Sequence, residues 1–117
     1  RALLVADEIK RGQHEESIAL FSRMLDERKE QPDIAYARGE VRRLRAQGDD
    51  LDAAMADLQF AISSMEAPAE AYRSIGLIHY KRGEREPARR EFERYLTLAP
   101  AAPDALMIRS YLEEMGT

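Results

Sequence analysis

Cysteine and tryptophan are both absent from this chain of 117 residues. The lack of thiols excludes disulfides and thiolate metal sites, and it leaves the compartment open, since proteins of oxidising and reducing compartments alike can do without cysteine. Glycine and proline are scarce, at six and five. That is far from a low-complexity or collagen-like composition, so each one is expected to mark a particular turn. No apolar run approaches the ~20 residues that a membrane-spanning helix needs, and no charged-then-apolar leader opens the chain. Surplus basic charge is missing as well: 18 Lys and Arg against 22 Asp and Glu give −4 at neutral pH. Affinity for phosphate backbones comes from a surplus of Lys and Arg, so a general nucleic-acid binder is not expected. Because the first residue is Arg1 rather than Met, the chain is expected to be a piece of a longer protein.

What the sequence does hold is helical pattern. At 44% hydrophobic and 34% charged residues, one small domain with its own core is expected. Apolar residues recur at helical spacing in Ile18, Phe21, Met24 and Leu25, in Leu51, Met55, Leu58 and Ile62, and in Phe92, Tyr95 and Leu96. Strand-like alternation is absent, which points to an all-α fold. Gly12, Gly48 and Gly83 each follow one helical pattern and precede another, and Pro32, Pro68 and Pro100 close the second of each pair, giving a period of about 34 to 36 residues. The reading is six helices over 2–11, 15–29, 33–47, 51–65, 69–82 and 86–98, with a seventh over 103–115.

In the stretch "AYRSIGLIHYKRGEREPARREFERYLTLAP", a glycine on one helix and an alanine on the next allow two backbones to approach closely, while aromatics fill the remaining space. Tyr72, Ile75, Gly76, Tyr80, Gly83, Ala88, Phe92 and Pro100 stand there at the spacing of the tetratricopeptide repeat, which this stretch resembles. The resemblance extends more loosely to Leu4, Val5, Gly12, Ser17, Phe21 and Met24 in a first repeat, and to Gly39, Gly48, Ala54, Leu58 and Ala61 in a second. That second repeat is three residues longer, with the extra length near "RAQGDDLD". Departures are Glu8 and His79 in places where aromatics are usual, Arg38 and Arg42 where bulky apolar residues are usual, and Tyr95 where the family carries alanine. What the resemblance implies is a right-handed solenoid of helical hairpins, with repeats at about 1–31, 32–67 and 68–101. A terminal helix at 103–115 would cover its end, with Ala105, Ile108, Leu112 and Met115 on one face.

The residues hold no catalytic or metal constellation. His14 and Glu15 begin an H-E-x-x-H pattern, but residue 18 is Ile, so the second ligand is missing. His79 reads as a satisfied histidine between helices, and adjacent acids such as Glu15/Glu16 splay around a helix instead of converging. No cofactor is expected. The family's groove, formed by the first helix of each repeat, would be lined here by Ala2, Ala6 and Ile9, by Tyr36, Glu40 and Arg43, and by Arg73, Leu77, Tyr80 and Lys81. Tyr36 and Tyr80 are the expected anchors, because aromatic and Arg side chains carry much of the energy at interfaces. Arg43, Arg73 and Lys81 would favour an acidic peptide or a free C-terminus. The Lys/Asn clamp of chaperone-binding relatives is missing, since the matching places read Ala2, Ala6, Tyr36, Ala37, Arg73 and Ser74. The expected function is therefore non-catalytic binding of a protein or peptide partner, as adaptor or scaffold. Two alternatives stand beside it: a repeat appendage of a larger enzyme such as a bacterial zinc metalloprotease, and self-association through an end carrying Leu3 and Leu4. A bacterial origin, cytoplasmic or periplasmic, follows only from the likeness of the Arg- and Ala-rich helices to such proteins.

Overall fold

The structure, a computed structural model, describes residues 2–27 and 31–116, with side chains from residue 10 onward. Among the described residues it is all-α, with six helices: α1 (Ala2–Glu27), α2 (Pro32–Arg45), α3 (Asp50–Ile62), α4 (Glu70–Lys81), α5 (Arg85–Leu98) and α6 (Ala105–Gly116). Among the described residues no helix is long and apolar enough to cross a membrane. The pairs α2/α3 and α4/α5 are the most closely packed, and α2 also touches α4 directly.

The expected break at Gly12 does not occur, because α1 runs through it without interruption. A single interior glycine costs a helix only about 1 kcal/mol relative to alanine. Lys10, Arg11, Gln13, Glu15 and Glu16 around it are good helix formers, and neither proline nor a second turn residue follows. The turns at Gly48 and Gly83 differ in kind: both glycines have positive φ, at +54° and +76°, a conformation that side chains resist. Residues 28 and 29 of the expected second helix lie outside the described residues. α3 stops at Ile62, three residues short of its expected end, where serine hydroxyls take over backbone partners: Ser63 Oγ donates to the Phe60 carbonyl at 2.6 Å, and Ser64 Oγ accepts from the Glu66 amide at 3.1 Å.

Glycine sets the depth of both hairpins. A Cβ placed on Gly76 would lie 2.6 Å from the Phe92 ring, and one on Gly39 would lie 3.0 Å from the Asp57 Cβ and 3.1 Å from Leu58 Cγ. The three surplus residues of the first hairpin are spread evenly, one in α2 after its glycine, one in the turn and one in α3 before Leu58. One core cluster gathers Leu58, Ile75 and Ile78 with the alanines of α2, α3 and α4, and Leu25 of α1 packs against it. A second holds Ala88, Phe92 and Tyr95 of α5 with Ile108 and Met115 of α6.

Arg38 and Arg42, the two cations at places expected to be apolar, find one acid between them. Arg38 grips Asp57 through Nε at 2.9 Å and Nη2 at 2.7 Å, and Arg42 reaches the same carboxylate at 2.8 Å. Asp57 is only 5% exposed, so the pairing replaces solvation it could not otherwise keep. Arg38 also donates to Ser22 of α1 at 3.1 Å. The pairing thus ties α1, α2 and α3 together.

The glycines predict opposite responses to one substitution. Gly76→Ala gains helix propensity but forces the Phe92 ring to move, for a net loss of about 1–2 kcal/mol. Gly12→Ala meets nothing within 4 Å and should gain about 1 kcal/mol. Urea unfolding of both variants checks the signs; equal effects would mean that Phe92 does not rest on Gly76.

Candidate interaction face

Helical spacing puts Tyr36, Glu40 and Arg43 on one face of α2, and Arg73, Leu77 and Tyr80 on one face of α4. Four of these side chains form a single cluster. Arg43 holds Glu40 in a two-pronged pair, Nε to Oε1 at 2.8 Å and Nη2 to Oε2 at 2.7 Å. Arg73 Nη2 crosses from α4 to donate to the Tyr36 hydroxyl at 2.8 Å and to Glu40 Oε2 at 3.2 Å. On its other side, Arg73 Nη1 donates to Asp104 Oδ2, just before α6, at 3.1 Å. Asp104 in turn accepts a hydrogen bond from the Tyr95 hydroxyl. The Arg73 guanidinium carbon lies 5.8 Å from the centre of the Tyr95 ring, within cation–π range.

Leu77 and Tyr80 sit further along α4 and belong to the core shared with α6. The Tyr80 ring lies 4.6 Å from that of Tyr111, and its hydroxyl donates to Glu114 at 2.8 Å. Lys81 is exposed at the end of α4. Ala2, Ala6 and Ile9 lie outside the residues whose side chains are described. The structure therefore brings Tyr36, Glu40, Arg43 and Arg73 together, and it places Tyr80 against the terminal helix instead of among them. His79 is satisfied within its own hairpin, its Nδ1 lying 2.8 Å from Glu84 Oε1.

The pairing shifts the acids in one direction. Burial would push the Glu40 carboxyl up, but hydrogen bonds from Arg43 and Ser74, together with the charges of Arg43 and Arg73, outweigh it and hold Glu40 below the usual range. Asp104 behaves alike: burial opposes its charge, while Tyr95 and Arg73 more than restore it. Burial and the neighbouring Asp104 push the Tyr95 hydroxyl up to about 12. Tyr36 is raised by burial and then by Glu40, and Arg73 is kept charged by Tyr36, Glu40 and Asp104 against its own desolvation.

Sequence reading located Tyr36, Glu40, Arg43 and Arg73, and missed two acids that the fold brings to α4, Asp104 to Arg73 and Glu114 to Tyr80. Asp104 lies 31 residues from Arg73 and Glu114 lies 34 from Tyr80, and no local pattern announces a pairing at such distances. Among the described residues no group of His, Asp and Glu is placed to hold a metal ion. Comparisons with protein-family models, with curated proteins and with solved structures find no match to this chain.

Two pH limits follow from the shifts. Glu40 and Asp104 have lowered pKa values in the fold, so their contribution is present above the unfolded carboxylate range and is lost as pH falls through the folded values. Stability should drop between neutral pH and about pH 3, and drop less in Arg73→Met, which has already lost the pairing. Tyr95 is raised, so its contribution is complete below its ordinary value of 10.0 and disappears as pH climbs towards about 12. Tyr95→Phe should weaken that alkaline loss without abolishing it, because Tyr36 and Tyr80 are raised as well. Urea midpoints across pH measure both limbs, and an Arg73→Met acid limb as steep as wild type would refute the assignment.

Proposed function

We propose that this chain is a non-catalytic interaction module of the tetratricopeptide type, which holds a peptide segment of a partner protein along the side-by-side faces of α2 and α4. The observation that carries the reading is the Gly76–Phe92 interlock at the repeat's spacing, joined to the direct contact of α2 with α4. Together they support a shared face bearing Tyr36, Glu40, Arg43 and Arg73. In this reading α2/α3 and α4/α5 are two such repeats, and the expected repeat at 1–31 is replaced by the single helix α1, which runs unbroken through Gly12.

The face has a particular chemistry. Its arginines already have carboxylate partners in Glu40 and Asp104, so a ligand acid must exchange with an internal one to gain them. Affinity then rests on shape and on polar contacts to half-buried groups such as Tyr36, and a net preference for acidic segments is modest. Catalysis has no place in this reading, since the cluster's ionisable side chains are engaged with one another.

Titrating an array of acidic and neutral peptides onto the 117-residue chain tests it. Wild type should bind a subset, Tyr36→Ala should weaken that binding about tenfold, and Arg90→Glu on the outer side of α5 should leave it unchanged. Circular dichroism confirms that each variant remains helical. Loss of binding in Arg90→Glu with retention in Tyr36→Ala would move the interaction away from α2 and α4.

A further inference from the structure

Beside that face, α1 and the C-terminal end of α2 enclose a cleft of about 390 Å³, lined by Lys10, Arg11, His14, Leu44, Arg45 and Gln47. Its character differs from the rest of the surface. Three of the six lining residues are permanent cations, a fourth is a histidine, and no carboxylate lines it among the described residues. Arg45 is fixed by a two-pronged pair with Asp50, Nε and Nη2 each at 2.7 Å. That pair leaves Nη1 for a further partner. Asp50 also accepts from the Gln47 amide at 3.0 Å, so the wall carrying Arg45 and Gln47 is held in place from behind. Glu15 and Asp49 are close enough to favour the charged form of Arg45, yet neither lines the cleft. His14 Nδ1 is buried and has no hydrogen-bond partner, which is costly unless a partner arrives from outside.

We propose that this cleft is an oxyanion site for a tetrahedral, phosphate-type group, held by Lys10, Arg11 and the spare Nη1 of Arg45, with His14 and Gln47 completing the shell. Charge-assisted hydrogen bonds from Arg and Lys are the strong contacts to such a group, and a pre-positioned guanidinium loses little freedom in making one. Leu44, 60% exposed at the margin, gives the cleft an apolar lip beside its charged floor. The group could be free phosphate or a phosphomonoester on a partner, and both present the same oxygens.

An NMR titration of the 15N-labelled chain at constant ionic strength decides the matter, with inorganic phosphate, a short phosphoserine peptide and its unphosphorylated counterpart as probes. Saturable shifts of the Arg11, Arg45 and Gln47 amides and of the His14 ring nitrogens, absent with chloride, are the expected result. A Lys10→Glu, Arg11→Glu variant that retains its helical circular dichroism should bind phosphate at least about tenfold more weakly, while Arg90→Glu should bind as wild type. Tighter binding of the phosphopeptide than of phosphate would assign the group to a partner side chain, and equal binding would assign it to the free ion. Linear shifts, shifts matched by chloride, or unchanged binding in the double variant would overturn the proposal and leave these cations to the negative end of α2 alone.

Discussion

The contact between the Phe92 ring and the bare backbone at Gly76 is the constraint on which the second hairpin depends. With no Cβ in the way, α4 and α5 come close enough for Phe92 to be fully buried, and the aromatic surface that continues from it, through Tyr80 and Tyr111, gives α6 something to rest on. Gly39 does the same for α2 against Leu58. Moving either glycine along its helix would rotate the small residue away from the contact, because only one position per turn faces the partner.

Around those apolar contacts the fold uses charge in an unusual place. The space between α2 and α3 contains Asp57 with two arginines, where two packed helices ordinarily put aliphatic side chains. A buried ion cluster contributes little net stability compared with well-packed hydrocarbon, but it tolerates fewer alternative arrangements, since each mispairing strands a charge away from water. The same logic holds for Glu40 between Arg43 and Arg73. Both clusters fix how neighbouring helices register, and so they settle which residues share a face.

What could be read from the sequence was whatever is local or periodic. Gly48, Gly83, Gly76 and Ala88 announced the two hairpins, and the last five helices lie within a few residues of their expected bounds. Gly12 misled because glycine marks a turn only when its neighbours also resist the helix, and here they favour it. The α2 and α4 residues of the candidate face were legible as a row because helical periodicity is enough to group them. The acids that later segments bring to α4 were not, because Asp104 reaches Arg73 and Glu114 reaches the Tyr80 hydroxyl through the folded topology. The long separation also concealed that Tyr80, predicted as an anchor for a ligand, is engaged by the chain's own terminal helix.

Arg73 has a consequence for how the molecule comes apart. In a stack where each helix meets only its neighbours, stability is a sum of nearest-neighbour terms and an end helix can fray while the middle stays folded. A single guanidinium on α4 that holds Tyr36 and Glu40 of α2 on one side and Asp104 at the base of α6 on the other shortens that series. Detachment of α6 strips Arg73 of a carboxylate and alters the charge facing α2 two helices away. The terminal helix and the second helix thus share one cooperative unit, and backbone amides in both should exchange with solvent through a common opening.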